Sequence, residues 1–151
     1  MAEFRPRMTG IGRVLVVVYA IMALAATGRS LVQIIERFDD APVAYLLSAF
    51  AAVVYLIATV ALVKSQSRAW AVVAWIAICV ELAGVLVVGT LSLTHPELFL
   101  HDATVWSGFG FGYFWVPLVL PLVGLWWLRT SAGRVARERA PESSLAGRSS
   151  W

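Results

Sequence analysis

The feature that most constrains this chain is an uncharged run over residues 41–63, APVAYLLSAFAAVVYLIATVALV. About 20 helical residues cross the roughly 30 Å of bilayer hydrocarbon, where every backbone polar group must be satisfied within the protein. The run therefore predicts a membrane-spanning helix. The composition agrees, since 60% of the chain is apolar and 14% is charged, against about 45–50% and about 25% in soluble domains. A soluble enzyme and a wholly disordered chain are both excluded.

Three further segments are long and apolar enough to cross a membrane. Residues 10–36 carry Arg13 and Arg29, and the only charge of residues 69–93 is that of Glu81. Residues 103–128 are uncharged and contain Pro117 and Pro121, which we expect to kink the helix. The sequence therefore predicts an all-α fold, an integral membrane bundle of four transmembrane helices with spans over residues 10–36, 41–63, 69–93 and 103–128.

The basic residues predict how these spans are oriented. Ten of the twelve lie in the N-terminal part of the chain, in the loop after the second span or after residue 128, and only Arg29 and Arg37 fall on the other side. Because Lys and Arg are retained in the cytoplasm, residues 1–9 and the tail over residues 129–151 are both predicted to be cytoplasmic. The tail is basic and has no apolar periodicity, so we expect it to be mostly disordered. A cleaved signal peptide over residues 1–26 is the alternative, which would place the two ends on opposite sides.

Glu81 is the most informative residue, because a carboxylate at the centre of a span is costly and marks a functional site by default. It lies roughly 20 Å along its helix from Arg68, and Arg29 lies roughly 24 Å from Arg13. The similar depths predict an intramembrane Arg29–Glu81 pair. A polar cluster is predicted around this pair. We expect Tyr55 and Tyr113 near Glu81, and Tyr45 and Ser107 nearer Arg29. The pair either locks the helices together or forms a proton- or substrate-linked site.

A glycine and aromatic stretch, WSGFGFGYFW, opens the fourth span. Gly108 and Gly112 have the GxxxG spacing that lets two helices approach closely. We predict that they form a helix-contact face; a slot for a flat or acyl-chain ligand is the alternative.

Few residues offer other chemistry. Four candidate metal ligands lie in one loop, namely His95, Glu97, His101 and Asp102. Their spacing matches no strong metal-binding motif. The sequence contains no phosphate-binding glycine loop, no HExxH, no nucleophile elbow and no CxxCH. We therefore predict a non-enzymatic protein with no cofactor, no metal and no nucleic-acid partner. Three tail arginines could contact anionic lipid, namely Arg134, Arg137 and Arg139.

The phrases ATGRSLVQIIERFDDAPVAYLLSAFAAVVYLIAT and HDATVWSGFGFGYFWVPLVLPLVGLWWLR resemble those of uncharacterised small four-span membrane proteins of actinobacteria. The resemblance implies the four-span topology and a location in the bacterial inner (plasma) membrane. It implies no activity. Small multidrug exporters also have four spans and one intramembrane Glu, but theirs is in the first span, whereas Glu81 is in the third.

Two functions follow as hypotheses. The first is an accessory, assembly or scaffold subunit, which contacts another membrane protein or a second copy of itself through the Gly108–Gly112 face. The second is a small oligomeric transporter or lipid-binding carrier in which Glu81 titrates. A third hypothesis, an enzyme acting on a lipid-linked substrate through His95 and His101, lacks a supporting motif.

Overall fold

The computed structural model describes residues 10–99 and 102–146, with side chains described up to residue 133. Four α-helices lie in these ranges, and no strand does: α1 Gly10–Arg37, α2 Pro42–Val63, α3 Arg68–Thr94 and α4 Val116–Ala146. Two 3-10 segments, Pro96–Phe99 and Ser107–Tyr113, connect α3 to α4. The four α-helices are each long and apolar enough to cross a membrane, α4 through Val116–Gly133. The predicted all-α fold with four candidate spans is confirmed.

The first three spans begin and end within one residue of their predicted bounds. Charged or polar residues flank each of them, so the edges of the apolar runs coincide with the helix ends. Pro42 opens α2, where the N–H that proline lacks would have had no helical partner.

The predicted fourth span is wrong at its start. Residues 103–115 form no α-helix, and α4 begins at Val116. Left-handed backbone causes the difference, at Gly108, Phe109, Gly110, Phe114 and Trp115, whose φ angles run from 55° to 83°. An L-residue in this region disfavours a right-handed helix.

The prolines lie nearer the start of their helix than predicted. Pro117 lies in the first turn of α4, which then continues through Pro121 as one element to Ala146. The predicted kink at these prolines stays a prediction.

The tail also differs from the prediction. Instead of losing order at Thr130, the backbone stays helical to Ala146. Arg and Ala supply nine of the 23 residues after residue 128, and both are strong helix formers. The preceding span supplies the helical nucleus, so each added residue needs only propagation. Residues 1–9 and 147–151 lie outside the described residues.

The bundle is apolar outside and partly polar inside. Ser30, Gln33, Ser48 and Glu81 are buried, while large aliphatic side chains cover the exterior, among them Leu24, Val87 and Leu93. Helices in lipid gain little from hiding apolar surface, so they associate through close packing and interior polar contacts. Small residues serve that packing where α2 is buried, at Ala44, Ala51, Ala52, Ala58 and Ala61.

Sequential helices are neighbours: α1 packs along α2, α2 along α3, and α3 along α4, with a smaller α1–α4 contact. Arg13, Lys64, Arg68 and Arg129 mark one end of the bundle, which we call the basic end. Here the Lys64 Nζ lies 4.8 Å from the centre of the Trp70 ring, and the Arg129 guanidinium lies 5.8 Å from that of Trp75. The opposite end holds the loop after α1 and the described residues between α3 and α4, namely 95–99 and 102–115.

Candidate functional site

Glu81 lies in the interior of the bundle with no exposed surface. It is the one charged residue between Arg68 and the end of α3. The Tyr19 hydroxyl of α1 donates a hydrogen bond of 2.6 Å to Glu81 Oε2. Glu81 Oε1 has no hydrogen-bond partner among the described residues. The carboxyl group is therefore only half satisfied.

Aromatic side chains from other elements enclose this carboxyl group. Tyr55 of α2 lies beside Tyr19, with 6.2 Å between the ring centres. The Trp106 indole Nε1 donates a hydrogen bond of 3.0 Å to the Tyr55 hydroxyl. We call Tyr19, Tyr55, Glu81 and Trp106 the Glu81 cluster; all four have at most 1% exposed surface. Three helices and the loop before α4 thus contribute to one buried polar site.

Glycines make room for this cluster. A Cβ on Gly84 of α3 would lie 2.5 Å from the Trp106 ring, and one on Gly124 of α4 would lie 3.5 Å from the Tyr19 hydroxyl oxygen. Further along α3, a Cβ on Gly89 would lie 2.5 Å from the Phe109 ring. The segment before α4 therefore docks two aromatic rings onto glycines of α3.

The predicted Arg29–Glu81 pair does not form. The Arg29 Nη2 contacts Asp102 Oδ1 at 3.5 Å, and Nη1 contacts the Tyr113 hydroxyl at 3.5 Å. Within the described side chains, no basic group forms an ion pair with Glu81. The prediction assumed that Arg13 and Arg68 lie at equal depth. The contact between Tyr19 and Glu81 instead places Glu81 at the level of Tyr19, which lies about 15 Å from Arg29 along α1.

A second polar cluster surrounds Arg29 at the opposite end of the bundle. The Tyr45 hydroxyl of α2 donates a hydrogen bond of 3.2 Å to Asp102 Oδ2. Asp102 therefore joins Tyr45 to Arg29. We call Arg29, Tyr45, Asp102 and Tyr113 the Arg29 cluster. The Arg29 and Asp102 side chains keep 30% and 26% of their surface exposed. The Arg29 cluster is therefore partly exposed, whereas the Glu81 cluster is fully buried.

The predicted polar cluster is thus divided between two sites. Tyr55 lies in the Glu81 cluster and Tyr45 in the Arg29 cluster, as expected, but Tyr113 contacts Arg29 instead of approaching Glu81. Ser107 contacts neither charge. Its Oγ accepts a hydrogen bond of 2.9 Å from the Thr104 backbone N–H, so it shapes the turn that leads into Trp106.

The predicted Gly108–Gly112 contact face is wrong, because both residues lie in a 3-10 segment instead of an α-helix. A Cβ on Gly112 would meet nothing within 4 Å. The Gly108 N–H donates a hydrogen bond of 2.8 Å to Ser92 Oγ. Gly84 and Gly89, which the GxxxG spacing did not select, form the close glycine contacts instead.

The loop candidates for a metal do not converge in the described part of the chain. No group of three potential metal ligands occurs there, His95 and Glu97 are exposed, and the His95 Nδ1 lies 3.0 Å from Thr94 Oγ1. His101 lies outside the described residues. The tail side chains predicted to contact anionic lipid, Arg134, Arg137 and Arg139, also lie outside the described side chains.

A cavity of about 450 Å³ lies beside the Arg29 cluster, between the last turns of α1 and Asp102. Its lining includes Gln33, Glu36 and Arg37, together with Arg29. The two clusters are linked by the chain itself, since Asp102 and Trp106 are four positions apart in one loop. A displacement of this loop would change both sites.

Sequence reasoning missed Tyr19 and Trp106 as functional residues, and it considered Asp102 as a candidate metal ligand, not as a partner of Arg29. The signal that could have found Tyr19 is helical spacing, because Tyr19 belongs to a regularly spaced stripe of α1 that the structure buries. The stripe consists of Leu15, Tyr19, Met22, Ala26, Ser30 and Gln33. The other faces of α1 are also apolar, so hydropathy does not distinguish this stripe from the rest of the helix.

The four apolar helices indicate a multi-pass membrane protein of the all-helical class. No protein-family model, curated protein or solved structure matches the chain.

Proposed function

We propose that this protein is a small, non-enzymatic carrier of the bacterial plasma membrane in which Glu81 binds and releases a proton. One observation carries the proposal: the Glu81 carboxyl group is fully buried and accepts one hydrogen bond, and among the described side chains its other oxygen has no partner and no cation lies beside it. A lock that only stabilises the bundle would favour a paired and fully hydrogen-bonded carboxylate. An ionised carboxylate is costly in this buried setting. Glu81 can therefore release its proton only when its surroundings change.

The route for such a change is the loop between residues 102 and 106. Trp106 donates to Tyr55 within the Glu81 cluster, and Asp102 accepts from Tyr45 within the exposed Arg29 cluster. Protonation at the bundle centre could therefore be transmitted to the accessible cavity through one short segment. This coupling is the property that a proton-linked carrier requires.

Infrared difference spectroscopy tests the protonation step directly. In reconstituted full-length protein we expect a carboxylic acid C=O band that changes with pH, and we expect Glu81→Gln to remove it while the protein still folds. The matched control is Glu97→Gln, at an exposed glutamate, which should leave the band unchanged. A wild-type band that is insensitive to pH would overturn the proposal. Failure of Glu81→Gln to fold would favour the lock.

Proteoliposomes provide a functional readout. With a pH-sensitive dye trapped inside, a pH gradient should drive proton movement through the wild-type protein, and Glu81→Gln should abolish it. Equal rates for the wild type and the variant would argue against Glu81 as the proton site.

We propose further that the basic end faces the cytoplasm, with both chain ends on that side. Arg13, Lys64, Arg68 and Arg129 support this orientation, since Lys and Arg are retained on the cytoplasmic face. Cysteines introduced at Ser65 and at Asp39 test it, because an impermeant thiol reagent applied to intact cells should label only the second. The reverse pattern would contradict it.

An accessory subunit of a larger membrane complex is the second candidate. It is favoured by exposed aromatic side chains on strained backbone: Phe114 is 91% exposed and Trp115 45%, and both have positive φ. Such strain costs about 1–3 kcal/mol per residue and persists where function requires it. Native mass spectrometry of the protein, extracted from its own membranes in mild detergent, tests this candidate. A stoichiometric larger partner would support it, and a free monomer would refute it.

A further inference from the structure

We propose that the cavity beside the Arg29 cluster binds the zwitterionic headgroup of a phospholipid, a phosphodiester that carries a terminal ammonium group. This inference goes beyond the proposed function and does not require Glu81 to titrate. The site would give the protein a resident or transported lipid at the end opposite the basic end.

The first support is the charge of the lining. Two arginines, Arg29 and Arg37, share the cavity of about 450 Å³ with two carboxylates, Glu36 and Asp102. Their formal charges cancel, so the cavity as a whole suits a neutral ligand with separated charges better than a net anion. A phosphodiester can be bound by the guanidinium groups, and an ammonium by the carboxylates.

The second support is a set of unsatisfied polar atoms. Gln33 is only 6% exposed, and its Oε1 has no hydrogen-bond partner among the described residues. In the described part of the chain, Arg29 makes two side-chain contacts, each at 3.5 Å, and its Nε has no partner there. Buried polar groups are normally hydrogen-bonded. Arg29 therefore has donors to offer a phosphate oxygen, and Gln33 has an acceptor for an N–H group.

The third support is an apolar path that leads away from the cavity. Exposed aliphatic side chains share one face of α1 at helical spacing, on both sides of Gly28, and they are Ile21, Leu24, Val32 and Ile35. Gly28 and Val32 also line the cavity. A Cβ on Gly28 would meet nothing within 4 Å, so this position leaves open space between the cavity and the stripe. Acyl chains can lie along the stripe while the headgroup occupies the cavity, which favours a lipid over a soluble phosphate compound.

Lipid binding by the purified full-length protein tests the inference. Native mass spectrometry would measure retention of phosphatidylethanolamine, phosphatidylcholine and phosphatidylglycerol, each added at the same concentration at one fixed pH. Phosphatidylcholine keeps the phosphodiester but has no N–H donor, and phosphatidylglycerol carries a net negative charge. We expect phosphatidylethanolamine to be retained about tenfold better than phosphatidylcholine, as one charge-assisted hydrogen bond implies. Equal retention of the two, or preferred retention of phosphatidylglycerol, would overturn the inference.

Variants locate the site. Arg29→Gln should lower phosphatidylethanolamine retention about tenfold, while Arg13→Gln, the same substitution at an exposed position near the other end of α1, should leave it unchanged. Equal loss in both variants would mean non-specific charge binding and would contradict the site.

A third variant keeps the test decisive if Arg29→Gln fails to fold. Glu36 is exposed, so Glu36→Gln should fold, and we expect it to lower the preference for phosphatidylethanolamine over phosphatidylcholine. An unchanged preference would remove the ammonium subsite.

Glu81→Gln separates the inference from the proposed function. We expect this variant to retain phosphatidylethanolamine at the fixed pH even though it loses the infrared band. Loss of lipid binding by Glu81→Gln in folded protein would contradict a separate site. Free phosphoethanolamine should compete weakly with the lipid; competition as strong as that of the intact lipid would mean that the acyl stripe contributes nothing.

Discussion

The Tyr19 hydroxyl donates a hydrogen bond of 2.6 Å to the Glu81 carboxyl group, 62 positions away in sequence, and so joins α1 to α3 in the bundle interior. Both side chains are completely buried, so water cannot replace either partner. This hydrogen bond therefore links the first helix directly to the third.

Removing the Tyr19 hydroxyl tests that attachment. Tyr19→Phe should lower the free energy of unfolding by about 1–3 kcal/mol, because it leaves a buried carboxyl group without its donor. Thermal unfolding in detergent would measure the change. Tyr113→Phe is the matched control, since its hydroxyl contact with Arg29 is 3.5 Å long, and its effect should be smaller. Equal effects of the two substitutions would show that the short contact has no special weight.

Filling the space at Gly84 tests the docking of Trp106. Gly84→Ala should destabilise the bundle by about 1–3 kcal/mol through overpacking, since the new Cβ would lie 2.5 Å from the indole ring. Gly28→Ala is the control, because a Cβ there meets nothing within 4 Å, and alanine is the better helix former. The same unfolding assay should show no loss for Gly28→Ala. A tolerated Gly84→Ala would mean that Trp106 is loosely held.

The Arg29–Asp102 contact is expected to couple weakly. A double-mutant cycle with Arg29→Gln and Asp102→Asn should give an interaction energy of about 1 kcal/mol, since both side chains remain partly exposed. Asp39→Asn, at an exposed carboxylate of the same end, should show no coupling to Arg29. A coupling as large as that of a fully buried pair, about 3 kcal/mol or more, would mean that the Arg29 cluster is sealed from water.

Glycine at Phe114 should relieve backbone strain. Phe114 has a φ of 55° and is 91% exposed, so Phe114→Gly should raise the free energy of unfolding by about 1 kcal/mol. Phe111→Gly is the control, because Phe111 is also exposed but lacks positive φ; it should give no gain. If Phe114→Gly also removes a co-purifying partner from native extracts, the accessory-subunit candidate gains support. Destabilisation by Phe114→Gly would show that the ring contributes to the fold.

The first three spans could be predicted from sequence because membrane helices are limited by length and charge. Lys64 and Arg68 bound two of them, and Pro42 opens one. The start of the fourth span could not be placed, because residues 103–115 are uncharged and mostly apolar or glycine, as the beginning of a spanning helix would be. Nothing in a count of apolar residues reveals a left-handed backbone.

The candidate site was predicted in part. Glu81 stood out because a charge within a span is rare, and Tyr55 lies beside it as expected. Its partner was wrong because depth along a helix says neither which way a side chain points nor at what level the neighbouring helix starts. Asp102 was overlooked as a partner of Arg29, since that pairing depends on how the segment before α4 folds back over the bundle.

The helix that carries the fourth span extends past Gly133 through residues 134–146 without interruption, which adds about 20 Å of length. A disordered tail would let the chain end sample a wide volume near the lipid surface. A helical extension instead acts as a spacer of fixed reach. A molecule that binds the far end of this extension would be held at a set distance from the bilayer. A force on that molecule would be transmitted as torque to the helix that begins at Val116.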